Sequence, residues 1–475
     1  MMRAFGAVFV VLSGCSALIP EPVSCESVCR APLVCVQGMC QISEQQTVDA
    51  GSLEAGLPLL DGAAPSVDAG LPALDSGLLV DAGPQAIVPI CGNQELEPGE
   101  DCDDGNDSDD DDCMACRWPT SASGGHRQSC LRVKNSLYCA GANTKGQLGD
   151  GSQEAREGFV QVPGNFIDVA SMAEANCAVD ELGAVLCWGD CAHGALGNGA
   201  IEGCQVQTQP VAVPGVSGAV QVVGGDWFAC ARLANGTVWC WGHNTRGSLG
   251  RGDNATSPVP APVSGLTGVL KISAGGYHVC ALDGLGAVYC WGQGELGQLG
   301  NDAVEDSVRP LRVDLPPVVQ IASGGYQNCA IDRDKRLWCW GDNSFGQLGI
   351  GTDAPLKSTA QQVQLQAGVR PSQLFGGNRV SCLRDEQGSV WCAGKNDHSQ
   401  LGQGPGDQRS YFSRIPDLTV SWFGSGSRSQ TVFAATNPRQ FMAWGSNQNG
   451  QLGVLDRADR EQPTCIAVGP TQACP

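Results

Sequence analysis

Between Val318 and Gly349 the chain reads VVQIASGGYQNCAIDRDKRLWCWGDNSFGQLG, and apolar residues alternate with polar ones through VVQIAS, YQNCAID and LWCWG. A period of two predicts strands with one covered face, and the Gly-Gly pair and the DRDK run between them predict turns. A fourth strand is expected from the proline-bearing segment that precedes each such unit, RPLRVDL at 309–315 or SPVPAPV at 257–263, where proline indicates a sheet edge. The closing phrase recurs seven times, from Cys139, Cys187, Cys240, Cys290, Cys339, Cys392 and Ala443, at steps of 48, 53, 50, 49, 53 and 51 residues. Four short strands per step, seven times over, predict an all-β fold: a seven-bladed β-propeller over 117–475.

Side chains alternate along a strand, so Trp239 and Trp241 share one face and Cys240 takes the other. The tryptophan face is expected to pack on the next blade, as do Trp188, Trp291, Trp340 and Trp444 in theirs. Leu148, Leu196, Leu249, Leu299, Leu348, Leu401 and Leu452 are the side chains able to plug a core from their glycine-flanked turns. Asn143, Asn244, Asn343, Asn396 and Asn447 suit a left-handed turn position. SMAEANC at 171–177 and FGSGSRSQTVF at 423–433 degrade the glycine-pair strand, so blades two and seven carry the weakest signal. The chain opens the propeller with PTSASGGH at 119–126 and ends it with PTCIAV at 463–468, which is expected to complete the first blade and close the ring.

Cysteine usage sharpens the picture. Six repeats carry a pair: Cys130 with Cys139, Cys177 with Cys187, Cys230 with Cys240, Cys280 with Cys290, Cys329 with Cys339, and Cys382 with Cys392. In the seventh, Phe433 and Ala443 occupy both places. All-or-none occupancy indicates partners facing each other across a hairpin, within disulfide reach; buried free thiols are the alternative. Closing a loop of about ten residues contributes roughly 2.5–3 kcal/mol in the chain-entropy model. Cys191 with Cys204 and Cys465 with Cys474 form two further expected disulfides, the first tying down a loop and the second closing the final turn.

The front of the chain differs in composition. Residues 1–116 hold 2 Lys/Arg against 20 Asp/Glu, leaving 26 against 29 for 117–475. A nearly neutral repeat domain lacks the basic footprint that phosphate backbones require, so nucleic acid is not an expected partner. Arg3 and the apolar run AFGAVFVVL fit a signal peptide over 1–14, too short to span a bilayer. Residues 15–40 form a cysteine-rich N-terminal segment whose CESVCRAPLVCVQGMC needs staples, as two disulfides or as a zinc site. Residues 41–90, rich in Ala, Gly, Pro, Leu and Asp, read as a disordered linker with a reach on the order of 40 Å. Residues 91–116 form an acidic cysteine-rich module with eleven carboxylates and no basic residue. Asp103, Asp107 and Asp109 alternate there as calcium ligands would, the other reading being a solvated acidic run.

Three resemblances add to this reading. LSGC at 12–15 resembles the bacterial lipobox, which implies acylation of Cys15 and leaves an even 24 cysteines of 25. The 91–116 module resembles one common in exported myxobacterial proteins, with DDDDC where that module has a glycine-containing run. The units G-G-x-x-x-C-A-L, G-x-V-x-C-W-G-x-N and G-Q-L-G resemble the repeat of the regulator of chromosome condensation family, a seven-bladed propeller. The family's eukaryotic members catalyse nucleotide exchange on a small GTPase and bind chromatin, roles that need a cytosolic or nuclear partner. A secreted β-lactamase inhibitory protein on the same repeat is the nearer analogue.

The five histidines, His126, His193, His243, His278 and His398, belong to no metal-spaced pair or nucleophile motif, and most occupy repeat positions filled by Asp, Asn or Tyr in sister copies and are read as turn residues. No catalysis and no cofactor is expected, calcium in the acidic module apart. The expected protein is a monomeric lipoprotein of the cell envelope, at the outer membrane or cell surface, touching membrane through its anchor alone. Its propeller is a binding scaffold for a protein or glycan, through the variable loops Asp150–Phe159, Cys191–Cys204, Asn301–Arg309, Gly351–Lys357 and Gln403–Phe412. The competing reading is an extracellular carbohydrate hydrolase or lyase with acids at the channel. Raised carboxylate pKa values at one mouth would favour the enzyme, and an exposed aromatic patch the binder.

Overall fold

A computed structural model describes the strands Leu33–Val36 and Met39–Ile42 and residues 120–201, 203–352, 354–436 and 440–468. The chain divides into two units, Met1–Gly83 and Pro84–Pro475. In the first, the described part is an antiparallel hairpin with Cys35 opposite Cys40. Cys15, the calcium candidates Asp103, Asp107 and Asp109, and Cys474 lie outside the described residues.

The second unit contains seven antiparallel sheets, each built from four consecutive strands. These blades, numbered one to seven, span Thr120–Val162, Phe166–Ala212, Ala219–Pro262, Val269–Arg312, Val318–Val363, Pro371–Thr419 and Trp422–Ile466. In blade five Val318–Ser323 is innermost, Gln327–Asp332 and Leu337–Asp342 follow, and Leu356–Val363 is the outer edge.

The outer strand therefore follows its CWG strand and does not precede the unit. Ser307–Arg312, within RPLRVDL, pairs with Val288–Gly292 of blade four, and Ser257–Pro262 pairs with Val238–Gly242 of blade three. Proline keeps its edge position, but blade ownership moves by one. A return beside the strand just laid down needs only a loop, whereas serving the next sheet as its outermost strand would cross three strands. The termini obey the same rule. Arg156–Val162 gives blade one its own edge, and Arg460–Ile466, carrying PTCI, edges blade seven. The ring closes by packing and not by strand exchange: Leu131 and Phe159 of blade one meet Phe433 and Ile466 of blade seven in one apolar cluster.

Seven apolar clusters fill the seven junctions between blades. The tryptophan face packs on the preceding blade, the reverse of the expected direction, because the acceptor for each indole N–H lies there. Trp188 donates to the Gln147 carbonyl (2.9 Å), Trp241 to Ala195 (3.0 Å), Trp291 to Ser248 (2.9 Å), Trp340 to Gln298 (3.1 Å) and Trp444 to Gln400 (3.2 Å). Each acceptor immediately precedes the turn leucine, and all seven leucines are buried. The cysteine face takes the other side, so Cys280 and Cys290 of blade four rest against Trp340 of blade five.

Blades one and six write CAG for CWG, with Ala140 and Ala393 in the tryptophan place. Their outer strands compensate. By register the facing outer position holds Pro210, Pro260, Pro310, Ala360 and Pro463 in the tryptophan blades, but Phe159 and Phe412 in the alanine blades. Phe159 lies against Gly453 and Phe412 against Gly349, where the other junctions set an indole against the equivalent glycine. Volume is conserved while its source moves from the third strand to the fourth.

The structure links Cys130–Cys139, Cys177–Cys187, Cys230–Cys240, Cys280–Cys290, Cys329–Cys339 and Cys382–Cys392 by disulfides between directly opposed residues, with Cα separations of 4.0–4.1 Å. Phe433 and Ala443 are likewise in register in blade seven. There Phe433 fills the space and meets Phe159 edge-on, 6.2 Å between centroids. Cys465 is disulfide-bonded.

The five asparagines are absent from the positive-φ positions, against the left-handed expectation. Each works as a loop staple. Its Oδ1 accepts the N–H of the leucine five residues on at 2.9–3.1 Å, as Asn244 does from Leu249. Its Nδ2 reaches carbonyls farther along, Asp253 (2.9 Å) and Ala255 (3.1 Å) for Asn244. In blade two this position is Cys191, and the Cys191–Cys204 disulfide replaces the hydrogen-bonded staple with a covalent one.

Candidate functional site

Innermost strands and CWG strands point the same way, since each is antiparallel to the strand between them. In blade five Gly341 of the CWG strand is therefore opposite Gln327, just beyond the Gly-Gly pair. All five variable loops join third to fourth strands, so all five emerge at the end of the ring that carries the glycine pairs. At the other end the turns are short and expose single aliphatic side chains, among them Leu182 and Leu285.

The glycine pairs form a collar around the loop-bearing mouth. Main-chain hydrogen bonds pass from blade to blade: Ala173 N–H to Asp226 O (3.0 Å), Asp226 to Gly276 (2.9 Å), Gly276 to Gly325 (2.9 Å), Gly325 to Gly377 (3.2 Å) and Asn378 to Ser429 (2.9 Å). Such close approach excludes side chains. A Cβ on Gly275 would lie 2.6 Å from the Gly324 carbonyl oxygen, and one on Gly225 2.7 Å from that of Gly276.

One residue past the collar stand Trp227, Tyr277 and Tyr326, at equivalent positions of blades three, four and five. Two histidines from the neighbouring loops thread between them. His193 meets Trp227 at 5.5 Å and His243 at 5.0 Å, and His243 meets Tyr277 at 6.0 Å, all edge to face. Trp227, His243, Tyr277 and Tyr326 are half-buried and His193 is exposed, so the string is a rigid, partly wet aromatic surface. His193 holds φ 59° and ψ 16° inside the loop clamped by Cys191–Cys204. A non-glycine residue in that conformation persists where its surroundings over-determine it. Burial is the largest influence lowering the His243 pKa, and the neighbouring His193 lowers it further.

Across the mouth, Arg428 from the degraded loop of blade seven pairs with Asp226 of blade three, Nε to Oδ1 at 2.6 Å and Nη2 to Oδ2 at 3.1 Å. The two side chains are 10% and 4% exposed, so the pair is a buried bolt. The Arg428 guanidinium also sits over the Tyr326 ring, 5.1 Å from its centroid. Burial, aided by Asp226, pushes the Tyr277 hydroxyl up to about 12. His126 contacts Asp226 at 3.5 Å. His278 is fully buried one position deeper, where its Nε2 meets Asn328 Oδ1 at 3.0 Å and burial lowers its pKa to about 4. Against the reading of most histidines as turn residues, His193 and His243 belong to an aromatic surface and His278 to the core.

The carboxylate nearest this mouth is consumed by Arg428. Among the described residues one carboxylate has a raised pKa: Asp168, held by burial at about 6, inside the channel on the innermost strand of blade two. Its Oδ2 accepts the Val222 N–H at 2.9 Å. Among the described residues no group of three or more His, Cys, Asp or Glu side chains is placed to hold a metal ion. The mouth can therefore present rings, two imidazoles and a fixed guanidinium to a partner. Sequence reading missed this constellation, although its signal was present as Trp, Tyr and Tyr at one register of three sister repeats.

Comparison with known proteins agrees with this geometry. The mouse and human E3 ubiquitin-protein ligase HERC2 are each 31% identical over 140 residues, 28% of this chain and 3% of theirs. The mouse X-linked retinitis pigmentosa GTPase regulator is 31% identical over 97 residues, 20% of this chain and 10% of its own. The chain thus spans a small fraction of these relatives. Yeast RCC1 (Prp20) bound to Kap60 superposes with a TM-score of 0.64 at 22% identity, covering 71% of this chain and 84% of that one. Human WBSCR16 gives 0.64 at 19%, covering 71% and 94%. A family model described as the RCC1-like domain matches residues 136–474, and by that match across most of its length the chain belongs to the RCC1-like domain family.

Proposed function

We propose that this chain is an exported lipoprotein, anchored through Cys15 to the cell envelope, whose propeller holds a protein partner on the loop-bearing mouth. The reading rests above all on the string His193–Trp227–His243–Tyr277, which joins preorganised aromatic surface to five variable loops on one rigid collar. Half-buried aromatic rings in a fixed setting are the side chains that dominate protein interfaces. A structural relative fits: yeast Prp20 has been solved bound to Kap60, and it has binding properties toward Gsp1p and histones. The envelope setting follows from the leader and lipobox in the sequence, and the hairpin disulfides suit an oxidising compartment.

The test is affinity capture from envelope extract and culture medium with the full chain carrying Cys15→Ser, beside Trp227→Ala in the same background. A saturable protein partner should appear, and the substitution should weaken it by about 2 kcal/mol, close to thirtyfold in Kd. A partner retained equally by both chains, or turnover of a glycan panel with no protein retained, overturns the proposal.

A further inference from the structure

Five consecutive blades each place one residue at the same level of the loop-bearing mouth: Glu174, Trp227, Tyr277, Tyr326 and Arg379. A repeated main-chain bond fixes their equivalence. Each of the five carbonyls accepts the N–H of the first residue after its blade's CWG or CAG, from Asp190, His243, Gln293, Asp342 and Lys395 in turn, at 2.9–3.0 Å. The collar hydrogen bonds join the residues just before them, Ala173 to Asp226, Asp226 to Gly276, Gly276 to Gly325 and Gly325 to Gly377, so the five follow one another around the mouth without a gap. All five are half-buried.

The arc is aromatic in the middle and charged at its two ends. Side-chain placement at the Arg379 end repeats that at the Trp227 end. His193, just before the loop glycine Gly194, lies against Trp227 of the next blade at 5.5 Å. Phe345, just before Gly346, lies against Arg379 of the next blade, with the guanidinium carbon 4.7 Å from the ring centroid. Other cations nearby are spent, Arg428 on Asp226 and Lys395 on Asp397. Arg379 and Glu174 have no ion pair and no side-chain hydrogen bond among the described residues. A charge held in place without a counter-charge favours a partner that brings one.

We infer that the mouth takes an extended peptide segment of its protein partner, laid along this arc with an acidic side chain on Arg379, a basic one on Glu174 and apolar side chains on the three rings between. The inference rests on the mouth being the protein-binding surface, and it adds which part of the partner is read. A polypeptide carries acid, base and apolar groups on one strand, whereas a neutral or acidic glycan lacks the cation that Glu174 calls for. Opposite charges at the two ends also fix the direction of the segment, because the reverse orientation sets like charges together.

A random dodecapeptide library displayed on phage is the probe, panned on the full chain carrying Cys15→Ser. Peptides that lose binding to Trp227→Ala should carry an acid and a base on opposite sides of an apolar core. For such a peptide Arg379→Glu should weaken binding about tenfold, a loss that shrinks at high salt, and Arg379→Lys should keep most of the affinity. Panning on Arg379→Glu with Glu174→Lys should select the same pattern with its two charges exchanged end for end. Trp227-dependent peptides without the charge pattern, or affinities indifferent to Arg379→Glu, overturn the inference and leave the mouth as a binding surface. Peptides indifferent to Trp227→Ala, or no peptide at all, also overturn it; the mouth itself then stands or falls on capture of a protein partner with and without Trp227→Ala.

Discussion

Replacing Trp291 with alanine tests the inter-blade latch most directly. The indole is fully buried, donates to Ser248 at 2.9 Å and covers Gly250. Truncating a buried tryptophan costs about 3–5 kcal/mol, and the lost hydrogen bond adds about 1. At roughly 2.1 cal/mol/K per residue, unfolding a propeller of this size carries about 0.7 kcal/mol/K, so 5 kcal/mol lowers the melting temperature by about 7 °C. The informative partner is Pro310→Phe, which copies the arrangement of Phe159 and Phe412 into blade four. Alone it should destabilise by overpacking, about 1–3 kcal/mol. Combined with Trp291→Ala it should restore about 2 kcal/mol, the worth of burying one phenylalanine. Calorimetry on the four chains under oxidising conditions measures the cycle. If the double variant melts at or below Trp291→Ala, the exchange of volume between third and fourth strands is wrong.

Other outcomes follow from the same geometry. Asp168 and His278 oppose each other between about pH 4 and 6.5. As pH falls through about 6, folded Asp168 takes a proton that the unfolded chain does not, adding roughly 3 kcal/mol of stability by about pH 4. Over the same window the unfolded chain protonates His278 while the folded chain refuses, removing a similar amount. Urea titration should therefore show a nearly flat wild type, loss on acidification in Asp168→Asn and gain in His278→Gln; parallel curves would refute both assignments. Phe433→Cys with Ala443→Cys should close a seventh hairpin disulfide, seen by mass, without raising the melting temperature. Its loop term of about 3 kcal/mol is offset by the lost Phe433 packing on Phe159; a rise of several degrees would show that packing to be weak.

The repeat period, the three CWG-side strands and the cysteine partners were legible because each rests on local pattern: alternation, spacing and all-or-none occupancy. What sequence could not settle was to which neighbour an element belongs. RPLRVDL reads the same whether it edges the blade before or after it, and alternation tells Trp241 from Cys240 without saying which side meets the preceding blade. The asparagine error was of another kind. A turn composition suggested a left-handed backbone, yet Asn244 uses its side chain, holding Leu249 N–H and two distant carbonyls. The aromatic mouth was hidden because His193 of blade two, Trp227 and His243 of blade three and Tyr277 of blade four meet only once the ring is closed.

Every hairpin sulfur bond spans nine or ten residues. Correct pairing of these twelve thiols needs no long-distance information. An oxidant acting on the chain as it emerges can lock each segment in turn, before its later neighbours exist, and a mismatched pair must bridge a far larger gap to form. Assembly thus becomes a matter of docking finished parts, with only the last hairpin, where Phe433 faces Ala443 in place of two cysteines, left adaptable at the seam where the circle must meet itself.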